Sequence, residues 1–435
     1  MHDPCLKCPK TGRTIRQRSR WIVLLTGFTA LVWYTLRVES KPSRAAYPCQ
    51  RVAAPLALAF LSYLGGWFAA VTLYRKAKGF LWQARYGLAA TCALASVLIS
   101  MTLWDRSAPI ARAAAPWTPT DQPNAPIGVA RGIFPGRVVW VRDPSATRWN
   151  GNEGHWWDPE ASDQARVDAM MAQSIRNLTG ESEDAKAWQV LFVSHNRRQK
   201  KSGTGYQRGE NIVIKINQNT ARDGHANNGN PRNENSINGN PHLILALLRQ
   251  LVNHAGVAPE NIYLYDISRY FPDNIFVPCH REFPAVHFIE VDKGGGAGRE
   301  AVPPEREWVK DVITYKDPAR GLGRSLPQFI IDAGYMINMS IMKNHGDVGP
   351  TLLAKNHFGT VHGLNHGAIA PKRMGESNPM VDLMAHPQVG EKTMLSLIDA
   401  LYAADGADAT PRKWRIAPFG TEEKPGWPAS LFASQ

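Results

Sequence analysis

Residues 241–268, PHLILALLRQLVNHAGVAPENIYLYDIS, form the stretch that decides the fold. The first half is apolar at helical spacing and opens with a proline, which is favoured in the first turn of a helix. Ala255-Gly256 then supplies a stop signal, and the alternating run 261–268 follows within a few residues. The stretch therefore predicts a helix over 241–254 that leads directly into a β-strand.

Segments of the same two kinds lie on both sides of this unit. Further strands are predicted at 137–142, 211–217, 286–291 and 329–342, and further helices at 162–178, with Ser162 as N-cap, and at 392–404. Strands and helices that alternate with short connections are typical of a parallel sheet. We therefore expect an α/β domain in which helices cover a mostly parallel sheet.

Three uncharged apolar runs precede this domain, at 21–36, 54–74 and 86–104. At 1.5 Å per residue the second run spans about 31 Å, enough to cross a bilayer core, and the first spans about 24 Å. No small-x-small cleavage site follows the first run, which disfavours the alternative of a signal peptide. The predicted organisation is a basic cytoplasmic tail at 1–20, three transmembrane helices within 21–104, a Pro/Ala-rich linker at 105–127, and an α/β domain at 128–435.

The distribution of Lys and Arg predicts the orientation of this membrane anchor. Six basic residues lie in 1–20 and four in 75–85, and positive loops stay on the cytoplasmic side. Three crossings then place 128–435 outside the bacterial inner membrane. The inverted topology stays open, because Lys41, Arg44 and Arg51 lie in the loop between the first two runs.

The charge distribution argues against a nucleic-acid-binding protein, although the formal net charge is +13. Residues 1–104 contain 14 basic and 2 acidic residues, whereas 105–435 contain 36 basic and 35 acidic residues. A nucleic-acid-binding domain needs its basic residues clustered on the folded part. The basic excess lies instead in the predicted membrane segment.

The segment 343–366, KNHGDVGPTLLAKNHFGTVHGLNH, is the densest group of residues that could carry chemistry. Neutral imidazoles with Asp347 could bind a divalent transition metal. Alternatively, lysines and loop N–H groups could bind a carboxylate or phosphate while a histidine moves a proton. A structural role in the loops is the third interpretation. The candidate catalytic residues are Lys343, His345 and His357, and the candidate metal ligands are His345, His357, His362 and Asp266.

Polar side chains also follow the predicted strands. In an open α/β sheet, ligands bind beyond the carboxyl ends of the strands, where neighbouring strand ends converge. We therefore expect a shared ligand-binding cleft there, formed by Lys215, Asn217, Asp266, Lys355 and Asn356. The asparagine-rich loop 217–240 is interpreted as a surface loop, with a lid over the cleft as the alternative.

Several of these segments resemble the uncharacterised family known as domain of unknown function 362. MINMSIMKNHGDVGPTLLAKNHFG (336–359) resembles the family's apolar strand, Lys-x-His and Thr-led turn. The stretch 242–268 resembles its helix–Ala-Gly–strand unit, and 211–217 its strand ending in Lys-x-Asn. The segment 42–55 is similar to one in membrane-anchored members. The resemblance covers about 130–435.

The resemblance implies an extracytoplasmic location and no established activity. Some members carry iron–sulfur modules, but no ferredoxin-type cysteine run occurs here. Family members continue past a Ser-x-Asp-Pro segment, whereas this sequence ends at Gln435, so a C-terminal truncation is expected.

These observations lead to two functional hypotheses. The first is a membrane-tethered enzyme that acts on a small anionic substrate, with possible help from a divalent transition metal. The second is a non-catalytic membrane-anchored protein that binds a ligand or partner in the same cleft.

Overall fold

The computed structural model describes residues 12–39, 48–105, 129–201, 203–317, 323–346, 349–362 and 377–435. The chain divides into two compact units, Met1–Ala125 and Pro126–Gln435.

The first unit consists of three long helices in its described part. They are α1 (Gly12–Val38), α2 (Pro48–Trp82) and α3 (Tyr86–Asp105). Each contains one of the three predicted apolar runs. Small residues let these helices approach closely, since the Ser96 hydroxyl donates to the Ala70 carbonyl oxygen of the facing helix at 2.9 Å.

One helical segment in the described part of this unit, Leu56–Trp82, is long and apolar enough to cross a membrane. The apolar part of α3, Tyr86–Ser100, is shorter. The structure therefore supports one candidate membrane span. The other two spans and the orientation stay predictions.

The second unit is built on a mixed, mostly parallel sheet. Its strands are β1 (Val138–Arg142), β2 (Ile212–Lys215), β3 (Ile262–Tyr265), β4 (His287–Glu290), β5 (Glu300–Ala301), β6 (Tyr335–His345), β7 (Gly349–Thr351), β8 (Thr393–Ala404) and β9 (Ser430–Ser434). Their order is β1-β9-β8-β6-β2-β3-β4-β5, and β7 pairs with β6. The six strands β8, β6, β2, β3, β4 and β5 are parallel to one another, whereas β9 is antiparallel to both β8 and β1, and β7 is antiparallel to β6. The predicted fold class is thus confirmed.

Helices lie along the sheet, and four of them were not predicted. They are α4 (Gln164–Thr179), α5 (Asp184–Arg198), α6 (Pro241–Arg249), α7 (Asp273–Glu282), α8 (Gln328–Asp332), α9 (Leu353–Asn356) and α10 (Pro379–Ala385). The additions are α5, α7, α8 and α10. The predicted N-cap of α4 was wrong, because Asp163, not Ser162, accepts a hydrogen bond from the Arg166 N–H.

The predicted helix at 392–404 was wrong, because these residues form strand β8. TMLSLIDALYAA has few β-branched residues, and its composition favours a helix. In the fold the segment lies between β6 and β9, and most of its side chains are buried on both faces. Strand pairing and burial on both faces override the local preference.

The predicted strand at 329–342 begins too early. Residues Gln328–Asp332 form the short helix α8 after Pro327, and β6 starts only at Tyr335. A proline at the N-terminal end pre-sets the backbone for a helical turn, whereas apolar content alone does not distinguish the two states.

Asp399 connects the middle of β8 to the start of α6. One carboxylate oxygen accepts a hydrogen bond from the Asn240 backbone N–H at 2.8 Å, and the other accepts from Leu401 at 3.3 Å. The Asn240 side chain in turn caps α6. Burial raises the pKa of Asp399 to about 7 despite these two donors.

Asp399→Asn should remove a pH-dependent loss of stability. The pKa of Asp399 in the unfolded chain is about 3.9, so the folded protein holds this proton more tightly. The stabilisation is therefore complete below about pH 4 and is lost as the pH rises through about 7. The free energy of unfolding of the variant, relative to the natural protein, should increase between about pH 4 and about pH 7 in urea titrations.

The matched control is Asp405→Asn, since the Asp405 side chain is 69% exposed. This change should leave the pH dependence of unfolding unaltered. A constant difference between Asp399→Asn and the natural protein across the same pH range would contradict the prediction.

Candidate functional site

The carboxyl ends of β2, β3 and β6 bring the predicted strand-end residues together. Lys215, the last residue of β2, pairs in register with Tyr265 of β3 on one side and with Asn338 of β6 on the other. Asp266 directly follows β3, and Lys343 lies near the end of β6. The three polar groups therefore meet at one edge of the sheet.

Lys215 and Asp266 form a buried ion pair at this edge. The Lys215 Nζ lies 3.1 Å from the Asp266 Oδ2, and the two side chains are 1% and 7% exposed. Burial lowers the pKa of Lys215, and the Asp266 charge opposes this shift. Each partner thus compensates for the desolvation of the other.

The Asp266 carboxylate is also fully engaged by its own chain. Oδ2 accepts from the Gln218 backbone N–H at 3.2 Å, and Oδ1 accepts from the hydroxyl and the backbone N–H of Ser268 at 2.7 and 3.1 Å. A Cβ added to Gly359 would lie 2.9 Å from Oδ2 and closer still to Oδ1. Asp266 is therefore enclosed by protein groups and serves as an anchor of the site.

Asn356, in the second Lys-Asn-His triplet, ties its loop to this ion pair. Its side-chain N–H groups donate to the Lys215 and Met339 carbonyl oxygens and to the Asn338 side chain, at 3.0, 3.1 and 2.8 Å. Its Oδ1 accepts from the Lys215 Nζ at 3.4 Å. Asn356, which was predicted to bind a ligand, thus joins α9 to β2 and β6 through its side chain.

His357 is fully buried next to this network. The Asn338 Nδ2 lies 3.0 Å from the His357 Nε2, and the Thr360 hydroxyl lies 3.1 Å from Nδ1. Because the Asn338 Oδ1 accepts from Asn356, its Nδ2 must donate to Nε2, which assigns the proton of the ring to Nδ1. Burial, and secondarily the Lys215 charge, lowers the pKa of His357 to about 3, so the ring is neutral.

A small cavity opens above the ion pair, and we call it the strand-end cavity. Its volume is about 40 Å³. The described residues that line it are Asn217, Asn219, Asp266, Ser268, Arg269, Lys343, Thr351, Lys355, Asn356, Phe358 and Gly359. The structure thus brings five of the nine predicted site residues to one cavity, with Lys215 directly beneath it.

Lys343 lines the cavity, and its pKa is strongly shifted. Its ammonium group donates to the Asn219 side-chain oxygen. Burial, followed by the charge of Lys355, lowers the pKa of Lys343 to about 7. Among the described residues, no carboxylate lies within ion-pair distance of this ammonium group, so Lys343 changes its charge near neutral pH.

The remaining predicted site residues lie elsewhere. His345 is half-buried and pairs with Gly349 in the β6–β7 hairpin, outside the cavity lining. The His362 ring packs against Trp308 at a tilt of 47°, and its Nδ1 lies 3.6 Å from the Glu305 carboxylate. Asp347 lies outside the described residues.

The described part of the chain contains no group of three or more His, Cys, Asp or Glu side chains that could hold a metal ion. The four candidate metal ligands are accordingly not gathered there. The metal interpretation receives no support from the structure.

Sequence reasoning missed Arg269 and Phe358 in the cavity lining and Asn338 beneath it. Asn338 could have been recognised from the sequence, because it is an amide in the middle of a mostly apolar strand. Arg269 follows a strand end by several residues, and Phe358 resembles an ordinary apolar loop residue. Neither carried a signal of its own.

Three of the nine asparagines of the loop 217–240 face inward. Asn228, Asn238 and Asn240 are almost fully buried. The Asn228 side chain donates to the Ser236 carbonyl oxygen at 2.7 Å, and Asn238 accepts from the Thr220 N–H at 2.8 Å. These bonds hold the loop's own backbone, as expected for a structural loop.

Comparison with known proteins supports the resemblance to one family. Residues 213–421 match the family model described as Domain of unknown function (DUF362). The matched range begins within β2 and includes all the residues that line the strand-end cavity. No curated protein and no solved structure matches the chain. The family's description names no activity.

Gly359→Ala should destabilise the second unit. The new methyl group would overlap the Asp266 carboxylate, which cannot withdraw without losing its ion pair with Lys215. Overpacking of this kind costs roughly 1–3 kcal/mol. The free energy of unfolding in urea measures the effect.

Gly346→Ala is the control, since a Cβ added to Gly346 would have no described atom within 4 Å apart from its chain neighbours. This change should leave stability within about 0.5 kcal/mol of the natural protein. Equal stability of the two variants would show that the Asp266 carboxylate can move at little cost.

Proposed function

We propose that this chain is a membrane-associated α/β protein that binds a small anion in the strand-end cavity. One observation carries the proposal: Lys343, Lys355 and Arg269 line the cavity, while its carboxylate, Asp266, is already neutralised by Lys215. The local charge that a ligand meets is therefore positive. A bound anion would supply the charge that compensates Lys343.

The size of the cavity limits what enters it. A volume of about 40 Å³ holds roughly three water molecules. A carboxylate or phosphate group fits this space, and the rest of a larger ligand would extend outward. The amides of Asn217 and Asn219 line the same cavity and could orient such a group through hydrogen bonds.

Lys343 lines the cavity, and its lowered pKa suits proton transfer as well as binding. A group that titrates near pH 7 can give or accept a proton under ordinary conditions. We propose that Lys343 exchanges a proton with the bound anion. His345 is the accompanying candidate, because it lies two residues further along β6, and alternate residues of a strand share a face.

The enzyme and the non-catalytic binder differ in the fate of the anion. Conversion of carboxylates or phosphates during incubation with the full chain, followed by mass spectrometry, would support the enzyme. Saturable binding without conversion in a broad panel of such anions would favour the binding protein.

Sulfate binding to the full chain in detergent should weaken as the pH rises through about 7. Sulfate keeps its charge over this range, whereas Lys343 loses its proton. Lys343→Gln should reduce the affinity about tenfold at pH 6 and abolish this pH dependence. Isothermal titration calorimetry at pH 6 and pH 9 measures both effects.

Lys186→Gln is the matched control, because the Lys186 side chain is 63% exposed and pairs with Glu183 on α5. It should bind sulfate like the natural protein. An unchanged affinity of Lys343→Gln at pH 6 would contradict the proposed role of Lys343.

We propose that the second unit lies outside the cytoplasm of a bacterial cell, anchored in the inner membrane. The candidate span Leu56–Trp82 supports the anchor. The proposal includes the other two spans, at 21–36 and 86–104, because three crossings place the basic residues of both 1–20 and 75–85 on the cytoplasmic side. A phosphatase that is active only after export should therefore be active when fused after Gln435. The same enzyme inserted at 83–85 should be inactive.

The opposite pattern of activities would establish the inverted topology. Full recovery of the chain in the soluble fraction, without detergent, would contradict the membrane anchor itself.

A further inference from the structure

The second unit contains a larger cleft, which we call the loop cleft. It lies between the end of β1 and the loop 413–427, and its volume is about 520 Å³. Arg142, Lys413, Lys424 and Phe419 are among the residues that line it. The loop cleft and the strand-end cavity share no lining residue.

The side chains that line the loop cleft carry a net positive charge, while Glu422 and Glu423 of the same loop lie outside the lining. Three basic side chains line the cleft, and its described lining includes no carboxylate. The Nε of Arg142 is buried and has no hydrogen-bond partner among the described residues. The adjacent carboxylate of Asp143 forms an ion pair with Arg166, whose Nη1 lies 2.9 Å from the Asp143 Oδ2. A ligand in the open cleft does not reach this enclosed atom, but no described carboxylate pairs with the Arg142 guanidinium group, so its charge is available to an anion.

An aromatic surface lies beside this guanidinium group. The Arg142 Cζ is 5.8 Å from the centre of the Phe419 ring. Phe419 is itself held by Trp414 and Trp140, with ring centres 4.9 and 6.0 Å away. Since neighbouring rings fix its orientation, Phe419 offers a flat apolar platform at little entropic cost.

The loop that presents these groups has a defined shape. Trp414 and Gly426 exchange two backbone hydrogen bonds of 2.7 and 3.0 Å, and the Thr421 N–H donates to the Lys424 carbonyl oxygen at 3.0 Å. A Cβ on Gly420 would lie 2.5 Å from the Gly426 nitrogen, so a glycine is required there. The loop is therefore preorganised, which favours binding.

We propose that the loop cleft binds a flat aromatic ring that carries a phosphate or carboxylate group. Arg142 and Lys424 would hold the anionic group, and the ring would stack on Phe419. Charge-assisted hydrogen bonds from a guanidinium group suit both anions, and the cleft is large enough for a ligand of this size. The proposal is independent of the strand-end cavity.

The test uses 1-naphthyl phosphate, with inorganic phosphate and 1-naphthol as partial ligands, on the full chain in detergent. We expect saturable binding of 1-naphthyl phosphate by isothermal titration calorimetry, with one equivalent bound in the Lys343→Gln background, where the strand-end cavity is weakened. Arg142→Met should weaken this binding about tenfold or more. Phe419→Leu should weaken the binding of 1-naphthyl phosphate about fivefold and leave the affinity for inorganic phosphate unchanged.

Lys424→Met provides a second test of the anionic contact, because Lys424 is exposed and its loss does not threaten folding. This change should weaken the binding of 1-naphthyl phosphate about threefold or more. Lys186→Met, a change outside the cleft, should leave this affinity unaltered, and Lys343→Gln should leave the equivalent bound in the loop cleft in place.

Absence of saturable binding would overturn the proposal, as would equal affinity of the natural protein and both cation variants. Equal affinity for 1-naphthol and 1-naphthyl phosphate would overturn the role of the anionic group. A loss confined to Lys343→Gln would assign the ligand to the strand-end cavity and also reject the loop cleft. If sulfate does not bind at Lys343, the proposal for the strand-end cavity fails, but the results expected for the loop cleft stay the same.

Discussion

The buried ion pair between Lys215 and Asp266 is the interaction on which the candidate site depends. It joins the ends of β2 and β3, and it fixes the position of the groups that surround it. Asp266 holds Ser268 and the Gln218 backbone, and the Asn356 side chain bonds to both the main chain and the side chain of Lys215. Removal of one partner from such a pair typically costs about 3–5 kcal/mol, because the other charge stays buried.

The same ion pair determines the electrostatics of the strand-end cavity. Since Lys215 neutralises Asp266, the remaining charges among the described lining residues are those of Lys343, Lys355 and Arg269. Burial and the charge of Lys355 then lower the pKa of Lys343. The lining is thus basic, and its one described carboxylate is already paired. The lining of the loop cleft is also net positive, but for another reason: its described residues include no carboxylate.

The difference in burial between His345 and His357 could not be predicted from the sequence. His345 and His357 stand in identical Lys-Asn-His triplets, yet His357 is enclosed by Asn338 and Thr360 whereas His345 lies half-buried in a hairpin. Local sequence is the same in both places, so only the packing of α9 against β6 separates them. The structural role of Asn356 likewise depends on three partners that are distant in the chain.

The sequence by itself determined the α/β class, the short parallel strands, and the convergence of Lys215, Asp266 and Lys343 at one edge. These follow from hydrophobic periodicity, turn signals and the geometry of parallel sheets, all of which act over short distances. Only the tertiary structure decided that 393–404 is a strand and that Asp266 is neutralised before any ligand arrives. Both outcomes depend on neighbours far away in sequence, whose burial and charge outweigh local preference.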